Sequence, residues 1–277
     1  MNFVELQDKS DNLLAGGLAC LLGAEPHSCL NIKFTGSVNY LLSLNGEARY
    51  IGEAKNAKFR LYSQLREKTS TFYRNYLRTS PVPVSPISDF ELRILPVAFA
   101  RKELEEFGIV NARCDLNRFH LGKRQLFDAE AAIAHWEEVQ ATARKLVCEG
   151  AERCVEQSSK PWIDAAGPNA PGIYVIRRGG QIIYAGESSD IGIRHETHGG
   201  QTYFSAVRRN VGRSLLGFEL KVRNGKRKYF TEDEDEAVTA FLGECEISFT
   251  EISVGRLEIE EYLIMRHQPI LNRKSKS

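Results

Sequence analysis

Two stretches of this sequence carry the same residues at the same spacing, which limits the fold to architectures built from repeated units. Tyr40 and Tyr50 are ten positions apart in the first stretch, and Tyr174 and Tyr184 are ten positions apart in the second. A glycine follows each second tyrosine by two positions, and an arginine follows each glycine by eight: Gly52 with Arg60, and Gly186 with Arg194. Further landmarks decide whether this match is more than a coincidence.

Two more landmarks occur in the same order in both stretches. A glutamate precedes an asparagine by twelve positions in each: Glu105 with Asn117, and Glu260 with Asn272. Between the tyrosines and this block, TFYRNYLR at residues 71–78 loosely matches TYFSAVRR at residues 202–209. Self-similarity over several ordered landmarks predicts a duplicated domain.

The repeat divides the chain into four predicted regions. Apolar residues recur at helical spacing between residues 127 and 157, which predicts a long helix between the two copies. The regions are an N-terminal extension at 1–30, a first repeat domain at 31–122, a helical linker at 123–167 and a second repeat domain at 168–277.

Each repeat opens with two short runs rich in Ile, Leu, Val and Tyr around a turn, which predicts a β-hairpin. Asn45-Gly46 marks the first turn, and Arg178–Gly180 is read as a three-residue loop in the second. Such a loop places Tyr174 directly opposite Tyr184 on one face, whereas a two-residue loop would put them on opposite faces. The predicted class is therefore α+β, with two small antiparallel sheets of about three strands, flanked by helices and joined by a long helix.

Composition restricts the class of protein further. The 37 Lys and Arg residues nearly balance the 36 Asp and Glu residues, so a basic surface has to be local. Six scattered cysteines without a CxxC pair predict free thiols and no zinc site. The apolar stretch at residues 13–24 is too short to cross a bilayer, and the sequence lacks a signal-peptide pattern. We expect a cytoplasmic protein without a membrane segment.

The repeated polar residues suit the hydrolysis of a phosphodiester bond. Arginine neutralises charge on phosphoryl oxygens, and a tyrosine or histidine can take a proton from water. Mg²⁺ needs only one or two carboxylates besides phosphates and water, so one glutamate suffices. His198 follows Arg194 by four positions on the same helical face, whereas Gln64 follows Arg60. For the tyrosines taken alone, cross-strand packing is the alternative interpretation.

These motifs carry a family resemblance. GIY at residues 172–174 and YAG at residues 184–186 resemble the paired motifs of the GIY-YIG nuclease superfamily. That superfamily includes an excision-repair nuclease subunit, homing endonucleases and some restriction enzymes. The first repeat carries VNY at residues 38–40 and YIG at residues 50–52. The resemblance implies a three-stranded antiparallel sheet flanked by helices, endonuclease activity, and Mg²⁺ or Mn²⁺ as the cofactor.

The resemblance also implies a role for each site residue. In the second repeat these are Tyr174 as general base, Tyr184 to position water or phosphate, Arg194 to stabilise the transition state, His198 as the histidine found in homing and restriction members, Glu260 as the metal ligand and Asn272 to brace the site. The first repeat offers Tyr40, Tyr50, Arg60, Glu105 as its metal ligand, and Asn117.

Two such domains in one chain predict an internal pseudo-dimer that cuts both strands of double-stranded DNA, in a monomer or a homodimer. The alternative is one active domain, the second, with the first binding nucleic acid without cutting it. Restriction, defence or repair is the expected setting by analogy. The basic residues expected to contact nucleic acid are Arg208, Arg209, Arg213, Lys226, Arg227 and Lys228.

Overall fold

The computed structural model describes residues 2–30, 34–80, 84–117, 129–200, 202–223 and 225–272. The chain divides into two units, residues 1–146 and residues 147–277. Each unit combines an antiparallel sheet with helices, which confirms the predicted α+β class.

The first unit covers both faces of a small sheet with helices. Its elements are α1 (Phe3–Asp8), α2 (Ser10–Gly23), β1 (His27–Ser28), β2 (Val38–Leu44), β3 (Glu47–Ala54), α3 (Ala57–Gln64), α4 (Thr71–Thr79), β4 (Glu91–Pro96), α5 (Arg101–Asn111) and most of α6 (Ala129–Glu156). The antiparallel strand order is β1-β4-β2-β3. Every residue of β2 is buried, because α3 and α4 pack on the face of Tyr40 while α2 and α5 pack on the other.

The second unit repeats this topology with an insertion. After the end of α6 its elements are β5 (Lys160–Pro161), β6 (Gly172–Arg178), β7 (Gln181–Ser188), α7 (Ile191–Gly200), α8 (Ala206–Ser214), β8 (Lys221–Arg223), β9 (Lys226–Tyr229), α9 (Glu232–Gly243), β10 (Glu246–Glu251) and α10 (Arg256–His267). The antiparallel sheet has the order β5-β10-β6-β7, the same arrangement as in the first unit. Each sheet thus has three main strands, as predicted, and a fourth strand of two residues. A separate ribbon, β8-β9, belongs to the insertion.

The hairpin turns differ from the prediction for the second repeat. The connection is the two-residue turn Gly179-Gly180, with φ of 56° and 77°, and Asn45-Gly46 has the same left-handed geometry. Positive φ at both positions is the turn geometry that matches the twist of a hairpin, and glycine adopts it without steric cost. The predicted three-residue loop is therefore wrong.

A β-bulge nevertheless keeps the two tyrosines on one face. The register shifts between Ile176 and Arg177, so that Tyr174 pairs with Gly186 and Ile176 pairs with Tyr184. The extra residue of a bulge cancels the one-residue offset that the two-residue turn introduces. The same-face prediction is confirmed, but the tyrosines are diagonal neighbours rather than direct partners. The first hairpin has its shift at the corresponding place, between Leu42 and Ser43.

The helices after the hairpins correspond differently from the sequence match. Ser70 and Ser205 are the N-caps of α4 and α8, and each hydroxyl accepts the backbone N–H three residues on. Counted from these caps, residues 71–78 correspond to residues 206–213. The predicted match to residues 202–209 is wrong, because the aromatic residues at 203 and 204 precede the N-cap Ser205, whereas residues 71–78 follow the N-cap Ser70.

The corrected correspondence pairs Asn75 with Asn210. The Asn75 amide donates to the carbonyl oxygen of Leu116 at 3.0 Å, and the Asn210 amide donates to that of Leu271 at 2.8 Å. Both leucines directly precede the asparagines predicted to brace the sites. The two units therefore share a tertiary contact in addition to their topology.

The remaining helices agree with their sequence patterns. The apolar residues of α6 that recur at helical spacing are all buried: Ala132, Trp136, Val139, Ala143, Leu146 and Val147. Helix α2 holds the apolar stretch of residues 13–24 and buries most of it. In the described part of the chain no helix is long and apolar enough to cross a membrane.

Candidate active site

Two buried tyrosines form the centre of the site in the second unit. The rings of Tyr174 and Tyr184 are stacked, with centroids 5.9 Å apart and planes inclined by 25°. Tyr174 lies on the central strand β6 and is 3% exposed. Gly186 faces it on β7, and a methyl group there would overlap the Tyr174 hydroxyl and Cζ. The glycine two positions after the second tyrosine therefore makes room for the tyrosine hydroxyl.

The Gly186→Ala variant should be less stable than the wild type. We expect overpacking against Tyr174 to lower the free energy of unfolding of the second unit by about 1–3 kcal/mol. Gly199→Ala is the matched control, because a methyl group there meets open space on helix α7. Chemical denaturation of both variants checks this, and equal midpoints would contradict the close approach.

His198 connects the Tyr174 hydroxyl to the N-cap of α8. Its Nε2 is 2.8 Å from the Tyr174 hydroxyl, and its Nδ1 is 2.7 Å from Ser205 Oγ. Ser205 Oγ also accepts a hydrogen bond from the backbone N–H of Arg208 at 3.0 Å, and its second lone pair can accept a hydrogen bond from Nδ1–H. With the proton on Nδ1, Nε2 accepts a hydrogen bond from the Tyr174 hydroxyl. Burial, reinforced by nearby Arg194, lowers the pKa of His198 to about 3, so the ring is neutral at neutral pH.

This buried neutral histidine makes stability depend on pH. An unfolded histidine takes up a proton below its ordinary pKa of 6.5, whereas folded His198 resists protonation until about pH 3. The folded state therefore loses stability as pH falls from 7, by about 2 kcal/mol at pH 5. We expect His198→Gln to remove this loss, measured as the difference in unfolding free energy between pH 7 and pH 5. Parallel pH profiles for variant and wild type would contradict a neutral His198.

Arg194 and Glu260 complete the cluster from α7 and α10. Burial and then Tyr184 raise the pKa of Tyr174 well above its usual value, with Glu260 adding to the rise and Arg194 opposing it. Burial and then Glu260 raise the pKa of Tyr184. Both tyrosines are therefore protonated at neutral pH, and the carboxylate and the guanidinium lie close enough to act on both.

Asn272 holds the edge strand of the sheet rather than reaching into the tyrosine cluster. Its side chain accepts the backbone N–H of Ala185 at 2.8 Å and donates to the Ala185 carbonyl at 2.7 Å. Beside it, the N–H of Leu271 donates to the carbonyl of Ile183, the extra residue of the bulge. These bonds fix β7 next to Tyr184, so Asn272 is a positioning residue.

The first unit brings the corresponding residues together in the same way. The rings of Tyr40 and Tyr50 are 6.1 Å apart, and a methyl group at Gly52 would overlap the Tyr40 hydroxyl. Burial and then Tyr50 raise the pKa of Tyr40, while Arg60 opposes the rise. Burial and then Glu53 raise the pKa of Glu105 to about 7. Asn117 binds the backbone N–H and carbonyl of Ile51 at 3.0 and 2.7 Å, as Asn272 binds Ala185.

One difference between the two clusters concerns the partner of the first tyrosine. Gln64 stands where His198 stands, but its amide binds the Thr71 hydroxyl at 2.9 Å and the Thr71 backbone N–H at 3.2 Å. Among the described residues, the buried Tyr40 hydroxyl has no acceptor like His198, and Arg60 acts on it both by its charge and as a hydrogen-bond donor. Tyr40 therefore lacks the proton acceptor that Tyr174 has.

A family model matches the part of the chain that holds the Tyr174 cluster. Residues 166–277 match the GIY-YIG catalytic domain. The match supports the predicted GIY-YIG resemblance for the second unit and a nuclease function for it. The matched range begins after Tyr40, Glu105 and the rest of the first cluster. No curated protein and no solved structure is significantly similar to the chain.

The donor set of the second unit fits a metal ion shared with a substrate. In the described ranges no three or more His, Cys, Asp or Glu residues are grouped to hold a metal ion by themselves. Glu260 provides one carboxylate beside Tyr174 and Tyr184. A single carboxylate, completed by phosphate oxygens and water, is a usual Mg²⁺ arrangement. Glu105 has the corresponding place beside Tyr40 and Tyr50.

The predicted basic surface of the second unit is smaller than the sequence indicated. Arg208 is 2% exposed, and its guanidinium donates to Asp235 at 2.8 Å and to Thr202 at 3.0 Å. It therefore holds α8 to α9 and is not available to nucleic acid, which corrects the prediction for this residue. The Arg227 side chain lies outside the described part of the structure. Arg213, Lys226 and Lys228 are exposed, and their contact with nucleic acid stays a prediction.

Arg209, which was predicted to contact nucleic acid, acts electrostatically on the tyrosine cluster. It donates to the carbonyls of Thr202 and Tyr203 at 2.9 and 2.6 Å, and its charge acts on both Tyr184 and His198. The signal in the sequence was the Arg-Asn pair that occurs in both units, Arg74-Asn75 and Arg209-Asn210. The predicted match of residues 71–78 to residues 202–209 did not place these two pairs at corresponding positions.

Proposed function

We propose that this protein is a metal-dependent endonuclease that hydrolyses DNA phosphodiester bonds at the Tyr174 cluster. The observation that carries the proposal is the hydrogen bond between the Tyr174 hydroxyl and neutral His198, inside a cluster that also holds Arg194 and Glu260. The match of residues 166–277 to a GIY-YIG catalytic domain supports the same chemistry.

The residues of the cluster divide the reaction between them. Because the pKa of Tyr174 is raised, its hydroxyl is protonated before the reaction. As water attacks phosphorus, the bond from phosphorus to the leaving sugar oxygen breaks, and that oxygen takes a proton from solvent. The Tyr174 oxygen takes a proton from the attacking water and gives its own proton to His198 Nε2, 2.8 Å away, where the negative charge of the bound phosphate favours the protonated ring. Arg194 stabilises the negative charge that develops on the phosphoryl oxygens. Tyr184, packed against Tyr174, orients the water or the phosphate.

Glu260 would hold Mg²⁺ or Mn²⁺ together with the substrate. Such an ion, when bound, adds positive charge at the scissile phosphate. Hard oxygen ligands suit both ions, and Glu260 is a carboxylate that acts electrostatically on both tyrosines and raises their pKa values.

The first cluster supports a second candidate, in which both units cut and act as a pseudo-dimer. It retains two tyrosines, an arginine and a glutamate in contact or electrostatic reach of one another. Two observations argue against cutting in the first unit. The Gln64 side chain is hydrogen-bonded to Thr71 at the start of α4 and does not serve Tyr40. The pKa of Glu105 is raised to about 7, which weakens cation binding at neutral pH. We therefore propose one hydrolytic centre, in the second unit, with the first unit binding nucleic acid.

Cleavage of supercoiled plasmid tests the proposed activity. We expect nicked and then linear DNA with Mg²⁺ or Mn²⁺, and no change when EDTA removes the metal. Linear, branched, single-stranded and modified DNA, and RNA, identify the preferred substrate class. Absence of cleavage on every form with either metal would refute the proposed function.

Glu105→Gln decides between one hydrolytic centre and two. With one centre, the variant keeps the wild-type ratio of linear to nicked plasmid, because Glu260 does the cutting. Accumulation of nicked circles by the Glu105→Gln variant would instead support the pseudo-dimer. A role in restriction, defence or repair stays an analogy until the substrate is known.

A further inference from the structure

The GIY-YIG domain contains an insertion that the first unit lacks at the corresponding place. Residues 215–245 connect α8 to β10 and form the ribbon β8-β9 and helix α9, whereas residues 80–90 connect α4 to β4. The catalytic cluster draws none of its residues from this insertion. Its side chains therefore need a separate explanation.

Three aromatic rings meet where the insertion packs against the loop before α8. Tyr203 stacks on Tyr229 with ring centroids 5.2 Å apart and an interplanar angle of 28°. Phe204 meets Tyr203 edge to face at 4.6 Å and is 60% exposed. Phe204, Tyr203 and Tyr229 are called the aromatic platform below. An exposed phenylalanine supported by two packed rings presents a rigid apolar surface to solvent.

Two lysine side chains lie beside the aromatic platform. Lys226 Nζ donates to the Tyr203 hydroxyl at 2.7 Å, and Lys228 Nζ is 5.1 Å from the centroid of the Tyr203 ring. Lys226 first, with Lys228 and Arg209, lowers the pKa of the Tyr203 phenol. Asp235, which lines the same pocket as the three rings, is paired with buried Arg208 at 2.8 Å. Lys226 and Lys228 therefore place positive charge directly beside the Tyr203 ring.

The side chain of Arg209 links the loop that carries the platform to the tyrosine cluster. Arg209 donates to the carbonyls of Thr202 and Tyr203, and the same guanidinium acts on Tyr184. A nucleic acid with a phosphate at the tyrosine cluster would thus have neighbouring nucleotides within reach of this loop.

We propose that the aromatic platform stacks an unpaired nucleobase of the substrate, while Lys226 and Lys228 bind the adjoining phosphates. A base offers a flat π-face that an exposed aromatic ring can stack on, and this contact does not depend on base identity. A base within a continuous duplex is already stacked on both faces. The inference rests on the proposed nuclease function and narrows its substrate to nucleic acid with an unpaired segment.

Binding in EDTA tests the platform without cleavage. Wild-type protein is titrated with blunt duplex DNA and with the same duplex carrying a single-stranded tail that contains 2-aminopurine. We expect 2-aminopurine quenching and tighter binding of the tailed DNA. Phe204→Ala should weaken binding of the tailed DNA by roughly 5- to 100-fold and abolish the quenching, with blunt-duplex binding unchanged. Phe204→Trp should retain both properties.

Matched variants separate stacking from charge. Ile163→Ala removes an apolar side chain that is 76% exposed on the same unit and should change neither DNA's binding. Lys226→Ala should weaken binding to both DNAs and reduce the salt dependence by about one counterion. Equal weakening of both DNAs by Phe204→Ala, or tailed-DNA binding and quenching equal to wild type, would overturn the platform.

The outcomes keep the two proposals apart. Plasmid cleavage by the wild type together with an inert Phe204→Ala substitution would refute the platform and leave the nuclease function standing. Tail-specific binding that depends on Phe204, without cleavage of any substrate, would refute the nuclease function and leave the platform standing.

Discussion

The Glu260→Gln variant is expected to lose at least about 10³-fold of the DNA cleavage rate, with its fold retained. Glutamine keeps the shape of the side chain but removes the charge that would hold the divalent ion beside Tyr174 and Tyr184. Plasmid linearisation over a range of Mg²⁺ and Mn²⁺ concentrations measures the effect. Because the ligand itself is changed, additional metal should restore little activity.

Glu261→Gln is the control for this prediction. Glu261 is the next residue of α10 and therefore points about 100° away from Glu260 around the helix axis. We expect it to cleave at the wild-type rate. If Glu261→Gln were inactive while Glu260→Gln cleaved normally, the assignment of the carboxylate to the tyrosine cluster would be wrong.

The Tyr174→Phe variant should lose about 10²- to 10⁴-fold in cleavage rate, the usual contribution of a general base. The substitution removes the hydroxyl that bonds His198 and leaves the ring stacked on Tyr184. The lost hydrogen bond should cost about 1 kcal/mol of stability, so the protein remains folded. Single-turnover cleavage measured across pH distinguishes the loss of a proton acceptor from a loss of substrate binding.

Tyr40→Phe is the matched substitution in the first unit. Its hydroxyl has no acceptor like His198 among the described residues, so the variant should keep the wild-type cleavage rate. A comparable loss in Tyr40→Phe would show that the first cluster also cuts. Wild-type activity in Tyr174→Phe would remove tyrosine from the mechanism.

In each unit, the residues that recur at the same spacing in the sequence lie near one another in the structure. The two tyrosines, the arginine and the glutamate of each copy come within electrostatic reach of one another. The pattern of hairpins and helices was also enough for the α+β class. Helix α9 begins with the acidic run after Thr231 and has a capping box at its start.

The features that the sequence did not reveal depend on contacts between distant residues. No residue pattern in the hairpin sequence indicates the β-bulge, so a three-residue loop was predicted in place of the two-residue turn. Burial of Arg208 results from Asp235, which lies 27 residues further along the chain. Ser205 was missed because its function depends on His198 reaching the cap of the next helix.

The hydrogen bonds of Asn117 and Asn272 affect the order in which the two units fold during synthesis. The bond from Asn272 to Ala185 spans 87 residues, whereas that from Asn117 to Ile51 spans 66. Domains generally fold as units while the ribosome is still adding residues. The first edge strand can thus be fastened long before synthesis reaches Tyr174. The strand that carries Tyr184 is fastened only once Asn272 has emerged, so the proposed cutting centre forms after the first edge strand is in place.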